Sequence, residues 1–425
     1  MTAVQHAFRK GWCPGVRRPM LTGDGQIVRI RPRCGRLWAS DLAAVAELAR
    51  DCGSGLIDLT RRANIQIRGL RPGSLSVLWP ALDALGLADA TADAEAARNV
   101  VVGPLAGLDP AEAMDVRPLA SALEDALLRE AADLRLPGKF GFIVDGGGHL
   151  SLDDERADIL LRAVRSVEGA EIAIGIDRRD GVRWLLLVAP GDAVAAAMRV
   201  VHAFSRLPRR DGARMSALSD AEIEALEQAL DGFGRAASDF QCARAASKRP
   251  LGIVSFDGRP IAVGLAPPFG RVGAADLLAI ARRAIDLGLT ELRVSPWRSF
   301  YVPVPDAKIA GEMLAVAEAH GMITTFGDPL LAIDACPGAP ACASAELDTR
   351  AAARALAPLL AGLGCKTAHV SGCHKGCARS KAADLVLVGD GGRFRVVRHG
   401  TVRDLAIGFV TPDAISSLPS LSRLL

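Results

Sequence analysis

The sequence contains two similar stretches that lie about 235 residues apart. Val28 to Ile67 reads as strand, turn, helix and strand, and Val263 to Val302 repeats this order. In each copy the central segment has apolar residues at helical spacing, while the flanking segments alternate between apolar and polar residues. Gly35-Arg36-Leu37 corresponds to Gly270-Arg271-Val272. The chain of 425 residues is therefore predicted to fold as two related halves.

The alternation of helix and strand predicts an α/β fold in which helices cover one face of a mixed sheet. Two such halves related by a pseudo-twofold axis would form a cleft, and clefts between domains are favoured ligand sites. The repeat predicts three further correspondences: Arg98-Asn99-Val100-Val101 with the stretch before the first cysteine pair, Lys139-Phe140 with His374-Lys375, and Asp145-Gly146 with Asp390-Gly391.

We expect five segments along the chain. They are an N-terminal segment with the first half-domain at 1–85, a first α/β domain at 86–204, a helical linker at 205–248, a second half-domain at 249–325 and a second α/β domain at 326–425. In the linker, Ser219 and Glu222 have the spacing of a capping box, which predicts that a helix begins there.

Four of the nine cysteines form two closely spaced pairs in the last quarter of the chain. Cys336 and Cys342 spell C-x5-C, and Cys373 and Cys377 spell C-x3-C. Thiolates from two short loops rich in Gly and Pro are what an iron–sulfur cluster requires. Zinc is the competing interpretation, but structural zinc sites favour shorter C-x2-4-C spacings. The pairs therefore predict that the protein transfers electrons.

The remaining cysteines predict less. We expect Cys34, Cys52 and Cys242 to be small buried hydrophobic residues. Cys365 is interpreted as structural or as a spare thiol, and Cys13 lies in a Pro-Gly turn that is either structural or beside the active centre. The odd cysteine count, without a secretion signal, favours a reducing cytoplasm. No apolar run is long enough for a membrane span, so no membrane partner is expected.

Arginine is concentrated in the first hundred residues, although the net charge of the chain is only +3. Arg29 and Arg31 share one face of a predicted strand because side chains alternate along a strand, and this favours a common anionic ligand. Guanidinium groups pair bidentately with carboxylates and stay charged. A solvated basic face remains the alternative for about half of these arginines. Nucleic acid is disfavoured because few aromatic residues are present for stacking.

The sequence C-x5-C followed by Ser-Gly-Cys-x3-Cys resembles the cluster motif of the nitrite and sulfite reductase superfamily, whose fold is itself duplicated. The stretch from Ile57 to Gln66 is similar to a strand-turn signature of that superfamily. Its anion-binding segments are matched by Arg29-x-Arg31, Arg98-Asn99-Val100 and Leu136-Pro137-Gly138-Lys139-Phe140. Within the superfamily, the stretches Gly11 to Met20, Gly23-Asp24-Gly25 and Gly55 to Thr60 are most similar to the precorrin-3B synthase branch.

This resemblance implies a fold of ferredoxin-like half-domains plus mixed-sheet α/β domains around a pseudo-twofold axis. It implies a [4Fe–4S] cluster on the four paired cysteines, and a mononuclear non-haem iron as a second centre. It also implies that Arg31, Arg62, Arg98 and Lys139 hold substrate anions, to which strand periodicity adds Arg29. The implied reaction is oxygen-dependent conversion of precorrin-3A to precorrin-3B, by hydroxylation of a meso carbon with lactone formation.

Electrons are expected from a separate NAD(P)H-linked reductase or ferredoxin, because no Gly-x-Gly-x-x-Gly fingerprint occurs between a strand and a helix. The ligands of a second iron are not identified by the sequence. The chain has only seven histidines and none form a local pair, including His149, His369, His374 and His399. Catalytic residues stay unassigned.

Two positions depart from the reductase pattern. Asp58 stands where a reductase has an arginine, and Gly141 stands where it has a second lysine. The loss of two cations weakens the alternative of a sirohaem-dependent sulfite or nitrite reductase, without excluding sirohaem. A non-enzymatic electron carrier or cluster sensor is a third hypothesis, which the large duplicated body disfavours.

Overall fold

The computed structural model describes residues 13–167, 169–208, 212–237, 240 and 249–423. These residues form four sheets. Two of the five-stranded sheets contain residues from both halves of the chain. The other two sheets, of six and five strands, each belong to one half.

The elements of the first half begin with its half-domain. They are β1 (Met20–Thr22), β2 (Gly25–Ile30), β3 (Arg36–Trp38), α1 (Ala39–Cys52), β4 (Leu56–Leu59), β5 (Ile65–Leu70) and α2 (Leu75–Ala84). The first α/β domain follows with α3 (Ala92–Ala97), β6 (Val100–Val102), α4 (Arg117–Glu130), β7 (Phe142–Asp145), β8 (Ile159–Ser166), β9 (Gly169–Arg178), β10 (Gly181–Val188), α5 (Ala193–Arg206), α6 (Asp220–Gln228) and β11 (Arg235–Ala236).

The half-domain of the second half has the same order of elements as that of the first, whereas the described part of its α/β domain has no counterparts of α3, α6 and β11. Its half-domain contains β12 (Gly252–Phe256), β13 (Arg259–Leu265), β14 (Arg271–Gly273), α7 (Ala274–Asp286), β15 (Glu291–Val294), β16 (Phe300–Pro303) and α8 (Ala307–Ala319). Its α/β domain contains β17 (Ile333–Ala335), α9 (Thr349–Leu356), β18 (Ala368–Ser371), β19 (Ala383–Asp390), β20 (Arg393–Gly400), β21 (Gly408–Val410) and α10 (Leu418–Ser422).

The duplication extends to individual backbone conformations. Cys34 and Phe269 occupy equivalent positions just before β3 and β14, and both are left-handed, with φ of 50° and 56°. Ala63 and Arg298 lie in the equivalent turns after β4 and β15, with φ of 51° and 60°. Non-glycine residues rarely adopt this conformation, so its recurrence at matched positions supports the predicted pseudo-twofold relation.

The two half-domains exchange one strand. The first sheet has the order β1-β2-β5-β4-β14 and the second has the order β12-β13-β16-β15-β3. Strand β14 pairs antiparallel with β4, with Arg271 opposite Asp58, and β3 pairs with β15, with Leu37 opposite Leu292. Each half therefore completes the sheet of the other, and helices α1 and α7 pack on the shared apolar core.

Both α/β domains have three parallel strands followed by antiparallel ones. The parallel strands are β6, β7 and β8 in the first domain and β17, β18 and β19 in the second. The matching strands show that two expected correspondences were wrong. Strand β7 corresponds to β18, and β8 corresponds to β19. Lys139 precedes β7, whereas His374 follows β18. Asp145 ends β7, whereas Asp390 ends β19. The connection from β17 to β18 is shorter than that from β6 to β7, so the offset of about 235 residues between equivalent positions no longer holds after these connections.

The segment expected as a linker packs onto the first α/β domain. The capping box is confirmed, because the Ser219 hydroxyl accepts a hydrogen bond from the backbone N–H of Glu222 and the Glu222 carboxylate accepts one from the backbone of Ser219. Ile223 and Leu226 of α6 are buried in that domain's core, and β11 joins its sheet beside β10. In the described part of the chain, no helix combines the length and the apolar composition needed to cross a membrane.

Candidate functional site

The first sheet has one apolar face and one polar face. Apolar residues of β2, β4 and β5, such as Val28, Ile57 and Ile65, pack on the core beneath the sheet. Because side chains alternate along a strand, the residues between them point to the opposite face. On this polar face, β2 and the residue after it carry Arg29 and Arg31, and β5 carries Gln66 and Arg68. The next strands are β4, which carries Asp58, and β14, which carries Arg271.

Arg29 and Arg31 lie on this face as expected, and they differ in their partners. The Arg29 guanidinium donates two hydrogen bonds to Gln66 Oε1, at 3.0 and 2.6 Å. Arg31 is only 8% exposed, and its Nη2 donates to the Pro14 carbonyl at 3.1 Å, while Nε and Nη1 have no partner. Burial, and next the charge of Arg29, lower the pKa of Arg31 to about 10. A buried guanidinium with free N–H groups is costly unless an anion pairs with it.

Arg62 approaches the same region from the turn after β4. Its Nη2 donates to the Lys139 carbonyl at 3.3 Å and its Nη1 has no partner. A Cβ atom on Gly141 would lie 2.2 Å from that Nη1 and 2.8 Å from Nδ2 of Asn99. The glycine that departs from the reductase pattern is thus required by the position of Arg62. The Lys139 side chain is exposed.

Arg98 is committed to internal partners. It is 4% exposed, and its guanidinium pairs with Asp89 at 2.9 Å and with Glu124 at 3.5 Å. Its Nη2 also donates to the backbone carbonyl of Arg31 at 2.9 Å. Arg98 therefore supports the strand end that holds Arg31, and its guanidinium is not free for a ligand as the sequence had suggested.

Cys13 lies beside the arginines, which favours the second of its two interpretations. Its thiol lies within electrostatic range of the guanidinium groups of Arg29, Arg31 and Arg62. A Cβ atom on Gly15 would lie 2.0 Å from Oε2 of Glu95 and 3.2 Å from Nη1 of Arg31, so this turn packs against both the carboxylate and the guanidinium.

Asp58 is surrounded by three arginines from different elements. Arg271 donates to its two oxygens at 2.6 and 2.8 Å, Arg68 donates at 3.2 Å, and Arg350 lies 3.7 Å away. Burial opposes ionisation, but the hydrogen bonds and charge of Arg271 hold the pKa of Asp58 below its usual range. The acid that departs from the reductase pattern is therefore an internal counter-ion. Arg68 also reaches the carbonyl of Ala341, next to the first cysteine pair, at 3.4 Å.

The four paired cysteines come together at one edge of the last sheet. Cys336 follows β17 and Cys373 follows β18, and the carboxyl ends of these parallel neighbours meet. The Sγ of Cys336 accepts a hydrogen bond from the backbone of Gly372 at 3.1 Å. Burial, and next the charges of Cys373, Cys336 and Cys342, raise the pKa of Cys377, so the other three thiols each lie within electrostatic range of Cys377.

The described residues contain no group of three or more His, Cys, Asp or Glu side chains close enough to hold a single metal ion. A four-iron cluster places its thiolates around the corners of a cube, farther apart than the ligands of one ion. The donor set of four thiols, with a backbone N–H directed at one sulfur, fits such a cluster. By contrast, the described residues offer no set of donor atoms that fits the expected mononuclear iron.

The remaining cysteines differ in burial. Cys52 is buried as expected, and Cys365 is buried as well. Cys34, which was also expected to be buried, is half-buried and contacts Glu124, and Cys242 lies outside the described residues. His369 is 1% exposed and neither ring nitrogen has a partner. Burial lowers its pKa to about 4.

The second half does not form an equivalent site. Gly264, Ala266 and Tyr301 occupy the positions that correspond to Arg29, Arg31 and Gln66. The Tyr301 ring is fully buried and its hydroxyl donates to the Pro250 carbonyl at 3.0 Å. The loops after β6 and β7, which correspond to the cysteine loops, carry acidic residues and a histidine, namely Asp109, Glu112 and His149.

Comparison with protein families matches two parts of the first half. Residues 18–85 match the family described as "Nitrite/Sulfite reductase ferredoxin-like half domain". Residues 93–221 match the "Nitrite and sulphite reductase 4Fe-4S domain". This second match covers the copy without cysteine pairs, and the pairs lie in the duplicate.

Relatives extend the similarity over nearly the whole chain. A protein named precorrin-3B synthase, from Sinorhizobium sp, is 32% identical over 98% of this chain and 89% of its own length. A ferredoxin–nitrite reductase from Synechococcus elongatus is 27% identical over 91% of this chain and 83% of its own length. The structure of the NirA protein of Mycobacterium tuberculosis superposes with a TM-score of 0.75 at 21% identity, covering 93% of this chain and 79% of that one, and shows the expected fold. The chain therefore belongs to the precorrin-3B synthase family of oxidoreductases, within the nitrite and sulfite reductase superfamily.

Proposed function

We propose that the protein is an oxygen-dependent monooxygenase that converts precorrin-3A to precorrin-3B. The observation that carries this proposal is the pair of desolvated guanidinium groups, Arg31 and Arg62, whose free N–H groups lie near one polar sheet face. A precorrin is fringed with acetate and propionate carboxylates, which are the partners such groups require. The named relative from Sinorhizobium supports this substrate over other polycarboxylates.

In this proposal Arg29, Arg31, Arg62 and Lys139 bind substrate carboxylates, and Arg98 positions Arg31. Burial raises the strength of such pairs, because water competes less for the guanidinium. Asp58 and Gly141 leave the site with fewer cations than a reductase of small oxyanions would have. The substrate is then held by its edges, and its meso carbon between rings A and D is kept in place for hydroxylation and lactone closure.

We further propose that Cys336, Cys342, Cys373 and Cys377 hold a [4Fe–4S] cluster. When bound, such a cluster supplies one-electron transfer. Electrons would come from an external ferredoxin or NAD(P)H-linked reductase. Cysteines that are not paired in disulfides favour the reducing cytoplasm as the compartment. Oxygen activation needs a further redox centre. No step is assigned to a mononuclear iron, because the described residues offer it no ligand set.

Turnover tests the proposed reaction. The holoprotein, incubated with precorrin-3A, oxygen and a chemical reductant, should give a product heavier by one oxygen atom, with the label of ¹⁸O₂ in it. Absence of this product, under conditions in which the cluster is intact and reducible, would overturn the proposal.

A sirohaem-dependent nitrite or sulfite reductase is the second candidate, favoured by the 27% identity to a ferredoxin–nitrite reductase over most of the chain. The absorption spectrum of anaerobically purified protein separates the two. A sirohaem Soret band with nitrite or sulfite reduction would support this candidate, whereas iron–sulfur absorption alone would count against it.

The cluster ligands can be tested by iron and sulfide analysis. We expect Cys373→Ser to lose most of the iron and acid-labile sulfide, because one of four thiolates is replaced by a poor ligand. Cys365→Ser is the matched control, since Cys365 is buried in the core of the same domain and its thiol donates to the Leu363 carbonyl. Equal cluster content in the two variants would show that the assignment is wrong.

A further inference from the structure

Arg350 is a surplus cation at the cysteine-proximal end of the polar sheet face. The oxygens of Asp58 already accept hydrogen bonds from Arg271 and Arg68, and Arg350 comes no closer than 3.7 Å. The Arg350 side chain is 14% exposed, and its Nε and Nη1 have no partner. Burial, opposed next by the charge of Asp58, lowers its pKa to about 10.

A second carboxylate nearby is surrounded in the same way. Asp334 pairs with Arg61 at 3.0 Å and with Arg379 at 3.1 Å, and Arg298 lies 4.0 Å away. Arg298 is coupled electrostatically to Asp58 and to Arg350, so the two groups are contiguous.

Positive charge is in excess across this combined network. Its cations are Arg61, Arg68, Arg271, Arg298, Arg350 and Arg379, and its carboxylates are Asp24, Asp58 and Asp334. Glu155, which is coupled to Arg61, has its own partner in Arg249 at 3.7 Å. Desolvated cations in excess of carboxylates are unfavourable, so negative charge from the four-thiolate cluster proposed above, from a bound anion or from both would stabilise this region.

The unsatisfied cations lie towards opposite ends of one sheet face. Arg31 directly follows β2, and Arg350 lies beside Asp58 of β4. In the sheet, β2 and β4 are two strands apart, with β5 between them. At a strand spacing of about 4.8 Å, this separates the two ends by roughly 10 Å. A small oxyanion cannot contact both ends, whereas a tetrapyrrole with carboxylates on opposite edges is wide enough to do so.

We propose that Arg350 binds a substrate carboxylate on the edge opposite to the one held by Arg31. The domain that carries the cysteine pairs would then help to decide how the tetrapyrrole is oriented on the sheet. This inference rests on the proposed function, because it takes the same substrate class and the same face as given.

Tetrapyrrole binding to the full-length holoprotein tests this inference without turnover. Uroporphyrin carries carboxylates on all edges, whereas mesoporphyrin IX carries both of its carboxylates on one edge. By fluorescence titration we expect Arg350→Gln and Arg31→Gln each to raise the dissociation constant of uroporphyrin about 10-fold or more, the loss typical of one charge-assisted hydrogen bond. Only one of the two substitutions should weaken mesoporphyrin binding.

Arg354→Gln is the matched control for Arg350→Gln. Arg354 is exposed one turn further along α9, where its guanidinium lies 5.6 Å from the ring centroid of Phe269, and its substitution should leave both affinities unchanged. Circular dichroism and cluster content verify folding. Should Arg350→Gln fail to fold, Arg350→Lys keeps the charge without the planar fork and should give a smaller loss of uroporphyrin affinity.

The outcomes separate this inference from the proposed function. If Arg31→Gln weakens uroporphyrin binding and Arg350→Gln does not, the role of Arg350 is wrong and the proposed function stands. If neither substitution changes the affinity, both are wrong. If both substitutions weaken mesoporphyrin equally, the two arginines contact the same edge and the opposed arrangement is overturned.

Discussion

Gly141 and Arg62 form a pair in which one residue creates the space that the other uses. A glycine at this position lets the Arg62 guanidinium lie over the backbone, where Nη1 points to no protein acceptor. A lysine here would add a cation but would displace the existing one. At this position the departure from the reductase pattern therefore removes one cation and leaves room for the guanidinium of Arg62.

Gly141→Ala tests this pair. The added methyl group would overlap Nη1 of Arg62 and crowd Nδ2 of Asn99, so we expect the guanidinium to shift and uroporphyrin affinity to fall about 10-fold. Gly73→Ala is the control, because a Cβ atom there meets nothing within 4 Å. Equal affinity in the two variants would contradict the role given to Gly141.

His369 is a neutral buried histidine in β18. Burial lowers its pKa to about 4, the charge of Asp334 opposes this, and Arg379 and Arg61 lower it further. In the unfolded chain the group titrates near its ordinary value of 6.5, so between these two values the unfolded state binds more protons. Stability that is complete above pH 6.5 is therefore lost as the pH falls towards 4.

His369→Gln should remove this part of the acid sensitivity, because glutamine does not titrate. We expect the free energy of unfolding in urea to fall less between pH 7 and pH 4.5 in the variant than in the wild-type protein. Parallel pH profiles of the two proteins would show that His369 titrates normally in the folded state.

At the scale of elements, the exchange of β3 and β14 joins the half-domains more firmly than packing alone. Strand β3 is only three residues long, yet Leu37 at its centre is 1% exposed in the core shared by both halves. Leu292 lies opposite it on β15. The three-residue strand β3 therefore joins the two half-domains through its pairing with β15 and through the burial of Leu37 in their shared core.

Leu37→Ala should lower the free energy of unfolding by about 2–5 kcal/mol, the range for a buried leucine that leaves a cavity. The same change at Leu21, which is 70% exposed in β1, should cost less than about 0.5 kcal/mol. Urea denaturation measures both. A small effect at Leu37 would mean that β3 contributes little to the joint between the halves.

At the scale of the whole molecule, the duplicated chain uses its two copies unequally. The polar sheet face lies on four strands of the first half-domain and on β14 of the second, and the cysteine pairs belong to the second α/β domain. Arg68 and Arg350 connect these regions through Ala341 and Asp58. Neither half alone contains both parts of the site.

The halves should also fail to fold separately. A chain divided between residues 240 and 249 leaves each half-domain sheet without its fifth strand, because β14 and β3 come from the other half. We expect the separate pieces to be unfolded or aggregated and the co-expressed pieces to co-purify with native circular dichroism. A stable, folded single half would contradict the structural role of the exchange.

The site could be anticipated in part. Strand periodicity placed Arg29 and Arg31 on one face, and cysteine spacing identified the two loops, because both signals are local along the chain. Arg350 was missed, since it lies in the first turn of an ordinary helix between the cysteine pairs and only the tertiary fold brings it to Asp58. The free side chain suggested for Arg98 was also misleading, because Asp89 and Glu124 reach it from separate elements.

The sequence by itself determined the duplication, the two-part cysteine motif and the arginine-rich character of the first half, because repeats, spacing and composition need no knowledge of distant contacts. Only the tertiary structure decided which arginines are neutralised and which are left with free N–H groups. It also decided that the halves exchange strands and that a single polar sheet face results. These properties depend on charges and backbone edges that meet from positions more than 200 residues apart, such as Asp58 and Arg271.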